Sequence, residues 1–183
     1  MKKVFMLALA LLSMTFASAQ NDEAIKESAE RVAKLLNLEV PKQTKLEAVN
    51  TFIATVNDAT KQVTTNSQTM QDYYTRMQTA DGTNVLAPSL EEWQTLASNI
   101  KEEKNLIEKA KTDGEEAGKA AVALKDEATN ISNPLKAAKA VKEAKNAMDA
   151  LNYGKQAIPL LGEEMVAQGK IVTSIITSMS SGQ

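Results

Sequence analysis

From residue 46 onward, inward-type residues recur in steps that alternate three and four: Leu46, Val49, Ile53, Val56, Thr60, Val63, Ser67, Met70, Tyr74 and Met77. A seven-residue rhythm kept over this length is what helices need to pack side by side, nearly parallel or antiparallel, along a long seam. The spacing predicts a helix from about Lys42 to Thr79, about 57 Å long at 1.5 Å per residue.

The rhythm returns twice. After the turn signal Asp81-Gly82, Ser89 and Glu92 form a capping box for a third helix. Its inward series is Trp93, Leu96, Ile100, Glu103, Ile107, Ala110, Gly114, Ala117, Ala121, Leu124, Ala128 and Ile131. Asp113-Gly114 has the composition of a turn, but the phase before Gly114 continues after it, and a loop would reset that phase. One continuous helix is therefore expected. Asn133 caps a fourth helix with Pro134 in its first turn, where a missing N–H costs little. Its expected inward series is Val141, Ala144, Met148, Leu151, Lys155, Ile158, Gly162, Met165, Gly169, Val172, Ile176 and Met179, with Gly154, Leu161 and Gln168 beside it. A short first helix, Asp22 to about Leu38, carries Ile25, Val32, Leu35 and Leu36 and stops before Pro41.

Short turns between long helices force antiparallel neighbours. The predicted fold class is all-α: an elongated antiparallel up-down bundle of three long helices, with the short N-terminal helix folded back beside one half.

Folding the helices about their turns sets Met77 against Trp93, Val56 against Gly114, Ser67 against Glu103, Gly114 near Gly154, and Glu103 near Met165 and Gln168. Three groups of residues stand out. Gly114, Gly118 and Gly154 fall at one level and read as a close-packing device, since a mid-helix glycine costs roughly 1 kcal/mol against alanine and needs a packing gain to offset it. Pro159, a few residues on, is expected to kink the fourth helix. Ser67, Glu103 and Gln168 form a candidate polar core layer of the kind that fixes helix register. Tyr74, Met77, Leu86, Trp93, Ile176 and Met179 gather at one end as an apolar tip, which is either an end-cap core or a docking surface where the bundle lacks its fourth helix.

The first residues combine Lys2 and Lys3, an apolar run from Val4 to Leu12, and Ala17-Ser18-Ala19. This is the pattern of a secretory signal peptide over residues 1–19, too short in its apolar run to span a membrane. The double lysine and Gln20 resemble export signals of Gram-negative bacteria, particularly the Bacteroidota. Residues 20–183 are then expected to form a single helical-bundle domain in the periplasm or outside the cell, with no transmembrane segment. Losing Lys2 and Lys3 moves the formal net charge from −2 to −4. An acidic chain without clustered Lys and Arg does not suit nucleic acid.

Residue types exclude much chemistry. There is no histidine and no cysteine. Histidine-based metal and haem sites, Ser-His triads, thiolate nucleophiles and iron–sulfur clusters are excluded with them. The acid pairs Glu91-Glu92, Glu102-Glu103, Glu115-Glu116 and Glu163-Glu164 point about 100° apart on a helix and read as solvated faces, Glu103 excepted. No catalytic, cofactor or metal-binding residues are assigned. The expectation is a non-enzymatic interaction or spacer module of the cell envelope that binds a protein partner or itself. Two alternatives are a carrier of lipid or another apolar ligand within the bundle, and an extracytoplasmic chaperone, which the acidic charge favours least.

Overall fold

A computed structural model of the chain describes residues 21–80 and 84–181. The expected leader, residues 1–19, and the Asp81-Gly82 turn lie outside the described residues. Among the described residues there are four helices: α1 over residues 21–36, α2 Glu47–Thr79, α3 Leu90–Thr129 and α4 Pro134–Ser181. Among the described residues there is no strand. The three long helices are about 50, 60 and 72 Å in length.

Side-chain bonds define the ends. Ser89 Oγ accepts from Glu92 N at 3.2 Å while Ser89 N donates to Glu92 Oε2 at 2.7 Å, completing the capping box of α3. Asn133 Oδ1 accepts from the amides of Leu135 and Lys136 at the start of α4. The expected start of α2 at Lys42 is displaced to Glu47. Asn50 is the reason: its side chain accepts from Thr44 N and donates to Thr44 O, both at 2.8 Å, and so satisfies the backbone of residue 44 in a non-helical conformation.

α2 and α4 run in one direction, with α3 antiparallel between them. α1 starts beside the end of α2, where Gln78 Nε2 donates to Asp22 Oδ1 at 2.8 Å, and lies along α2 and α4 through Ser28 and Arg31. The bundle therefore has four helices toward Trp93 and three toward the α3–α4 turn. This corrects the expectation that the Trp93 end lacks a fourth helix, since Ala24 and Ile25 of α1 pack against its core.

The core falls into two clusters. Around Trp93 are Met70, Tyr74, Leu96, Ile100, Ile171, Val172 and Ile175. The other cluster is thin and alanine-rich, with Ala59, Ala110, Ala117, Ala121, Ala147, Ala150 and Ala157 around Phe52, Val56 and Leu161. Phe52 explains two of the three glycines. Its ring lies between α3 and α4, where a Cβ on Gly114 would sit 3.0 Å from Phe52 Cε2 and one on Gly154 would overlap the ring. The third, Gly118, is not a close-packing position, since a Cβ there would meet nothing within 4 Å. The expected partner of Gly114 was Val56, one helical turn further along α2.

α3 passes through Gly114 without a break. Asp113 is not a turn residue but a bridge, accepting from Thr55 Oγ1 and Lys109 Nζ, each at 2.6 Å. α4 passes through Pro159, which is exposed, so the carbonyl deprived of its helical donor belongs to an exposed residue, Lys155.

The inward face of α4 differs from the expected one. Val141, Met148 and Lys155 are exposed, whereas Ala147, Ala150, Ala157, Glu164, Ile171 and Ile175 are buried beside Leu161 and Gln168. Where only three helices meet around a phenylalanine ring, alanine fits the close approach and the larger Val141 and Met148 turn outward.

Candidate functional site

The four-helix half contains a layer of buried polar side chains, one or two from each helix. Ser28 of α1, Asn66 and Ser67 of α2, Glu103 of α3, and Glu164 and Gln168 of α4 are all buried, five of them completely. Arg31 closes the layer from outside with 19 % of its side chain exposed.

Glu164 is the hub. Its Oε2 accepts from Arg31 Nε at 2.8 Å, and its Oε1 accepts from Ser28 Oγ and, at 3.1 Å, from Gln168 Nε2. Gln168 Nε2 also donates to the carbonyl of Val63 at 3.0 Å, so both amide protons are used. Ser67 Oγ lies 2.9 Å from Ser28 Oγ and accepts from Gln71 Nε2 at 3.1 Å. A buried carboxylate with an arginine and two further donors is one of the few arrangements in which such a charge is tolerated away from water.

Glu103 is held differently. Asn66 Nδ2 donates to its Oε1 at 2.7 Å, and its Oε2 has no partner among the described residues. Burial is the main cause that pushes its carboxyl up, to about 7. The Asn66 bond opposes this, and the negative charge of Glu164 adds to it. Ser67, Glu103 and Gln168, read from the sequence as a layer, thus occupy one region, but Glu103 bonds Asn66 rather than Ser67. The other four members, Ser28, Arg31, Asn66 and Glu164, are not among the expected layer residues. Ser28 sits on the three-four rhythm Ile25, Ser28, Val32, Leu35 and was legible there. Glu164 had been read as part of a solvated acid pair and is instead fully buried. Its position follows from the alanine face of α4, which also settles Gln168. Arg31 and Asn66 carry no sequence signal that separates them from surface residues.

The expected tip is only partly assembled. Trp93 is completely buried, its ring edge-on to Tyr73 at 5.2 Å between centroids, and Arg76 lies 5.5 Å over the Tyr73 ring. Tyr74 belongs to the same cluster, with Ile176 and Met179 packed against it. Met77 and Leu86 are exposed and lie outside it; the Leu86 carbonyl accepts from Arg76 Nε at 3.2 Å.

Two cavities lie along the flanks of α1. The larger, about 660 Å³, is an open groove between α1 and α4 lined by Ala24, Glu27, Arg31, Gly162, Glu163, Val166, Ala167, Lys170 and Ile171. The smaller, about 310 Å³, lies between Leu36, Leu38 and Val40 on one side and Asn57, Thr60, Thr64 and Tyr153 on the other.

Among the described residues, no three acidic, histidine or cysteine side chains are grouped to hold a metal ion, and no helix is long and apolar enough to cross a membrane. Two carboxylates buried inside the bundle and bonded across helices can hold register and store charge, but neither faces an open cleft in which a substrate would meet them. Comparison of the chain with protein families, with curated proteins and with solved structures finds no match in any of the three.

Proposed function

We propose that this chain is an exported, non-enzymatic helical bundle of the cell envelope that works by binding, as an interaction or spacer module. The observation that carries the reading is the outer face of α4. Val141, Met148 and Val166 are spaced by two and five helical turns and so share one face, and they are 58 %, 41 % and 48 % exposed. A helix about 72 Å long that turns apolar side chains outward along one face is suited to lie against another surface.

The test places a photo-crosslinking residue at Met148, and at fully buried Ala147 as control, in cells that make the protein. The reading expects a discrete adduct from position 148, either a self-dimer matched by sedimentation velocity or a defined heteromer, and none from 147. A chain that sediments as a monomer and forms no adduct from 148 contradicts it.

The groove between α1 and α4 supports a second reading, carriage of an apolar ligand. Ala24, Gly162, Val166, Ala167 and Ile171 give it an apolar floor among four charged residues, and a Cβ at Gly162 would meet nothing within 4 Å. In this reading the ligand would sit on the flank of the bundle, in that groove. Native mass spectrometry of protein purified from its source checks this: the reading expects bound lipid that is lost when Ala167 is replaced by a bulky residue, and protein that arrives and stays ligand-free rejects it.

A further inference from the structure

The polar layer has a donor deficit. Gln168 has spent both amide protons on Val63 O and Glu164 Oε1, which leaves its Oε1 buried without a donor. Glu103 Oε2 is buried without a donor as well. Both side chains hang from the same turn of α2, Glu103 on the amide of Asn66 and Gln168 on the carbonyl of Val63. Two buried acceptors held by one turn of α2, neither with a hydrogen-bond partner, is a costly arrangement, and a single hydrogen shared between them removes it.

We propose that this layer is a proton-binding site: Glu103 is held as the neutral acid, its Oε2–H donates to Gln168 Oε1, and loss of that proton loosens α1 from the bundle. A proton fits better than a metal ion. A metal would need several oxygen ligands, and no third acidic side chain joins the two carboxylates among the described residues. The raised proton affinity of Glu103 agrees with this assignment.

The link to α1 runs through Gln168. Once Glu103 is ionised, its oxygen faces an acceptor, and the remedy within reach is to turn the Gln168 amide over. That gives Glu103 a donor, but takes one from Glu164 and sets Gln168 Oε1 against it. Glu164 is what Ser28 and Arg31 of α1 grip. The charged groups on the layer are Glu103 from α3, Glu164 from α4 and Arg31 from α1, with Glu27 on the outer side of Arg31; α2 contributes neutral Asn66, Ser67 and, bonded to Ser67, Gln71. Deprotonation therefore leaves two carboxylates against one cation, and α1, the shortest helix, is the element free to move.

The experiment measures hydrogen exchange of the α1 amides between pH 6 and pH 8, corrected for intrinsic exchange, together with a carbon-13 titration of the Glu103 carboxyl in the same chain. Protection of α1 is expected to fall about tenfold across this range, the factor for one proton released near neutrality. The carboxyl should titrate in step, and Glu103→Gln, whose amide supplies the donor permanently, should show no pH dependence. Protection that is flat with pH, a carboxyl that titrates below pH 5, or an unchanged pH dependence in Glu103→Gln overturns the proposal. So does restoration of protection at pH 8 by sodium, potassium, magnesium or calcium ions, which would identify a metal site. If the variant does not fold, the carbon-13 titration of the unaltered chain decides alone.

Discussion

Arg31 of α1 and Glu164 of α4, separated by 133 positions in the chain, meet at 2.8 Å with the carboxylate fully buried. This bond and that from Ser28 to the same carboxylate tie α1 to the far end of the sequence, and they make one half of the rod a four-helix bundle. Hydrophobic contact alone would let a helix of this length slide along the groove between α2 and α4. A directed ion pair fixes where it stops.

Stability should depend on pH through Glu103. Its folded pKa, about 7, lies above the value of 4.5 expected in an unfolded chain, so the folded state binds more protons between those limits. The contribution is fully present below pH 4.5, declines as pH rises toward 7 and is absent above it, a span worth about 3 kcal/mol at 1.36 kcal/mol per unit. Urea unfolding of wild type and Glu103→Gln at a series of pH values between 4.5 and 8 checks this. The difference between the two should change by about that amount, with wild type losing stability as pH rises.

Two glycines of α3 and α4 should respond oppositely to alanine. Gly154→Ala forces a methyl into the Phe52 ring and is expected to cost about 1–3 kcal/mol, the usual cost of overpacking. Gly118→Ala meets nothing within 4 Å and should stabilise α3 by about 0.5–1 kcal/mol through helix propensity. Phe52→Ala empties the space between the two helices and should cost about 3–5 kcal/mol. Chemical denaturation of the three variants measures all of these on one scale.

The proposed export makes a covalent prediction. Intact mass and N-terminal sequencing of protein from its source should show a chain beginning at Gln20, recovered from the envelope or the medium. A chain that retains Met1 or Lys2 and stays with the cytoplasmic fraction removes the cellular setting of the proposed function.

The helices were legible because their seams are long. The three-four rhythm of α2 and α3 runs through Gly114 unaltered, and local composition could not outweigh it. Ser89, Glu92 and Asn133 marked helix starts because each cap is a local hydrogen-bond pattern. The start of α2 was misread because Asn50, inside the helix, holds the backbone of Thr44 outside it. α4 was misread because hydrophobic size is a poor guide in a thin layer: Ala147 and Ala157 are buried, and Met148 is not. That error hid Glu164. Of the polar layer, Ser67 and Glu103 lie on the expected seams and Gln168 beside one, but Arg31 carries no such signal. Its role depends on a partner far away in sequence, and only the fold brings them together.

The clamp between α1 and α4 is the central claim, and a double-mutant cycle on Arg31 and Glu164 tests it most directly. Arg31→Met should cost about 3–5 kcal/mol, because it strands a buried carboxylate, and should release the α1 amides to exchange. Arg31→Met combined with Glu164→Leu should recover most of that loss, giving a coupling energy well above the roughly 0.5 kcal/mol scatter of independent sites. Single effects that simply add, with α1 protection unchanged throughout, would mean that α1 is not held to the bundle by this pair.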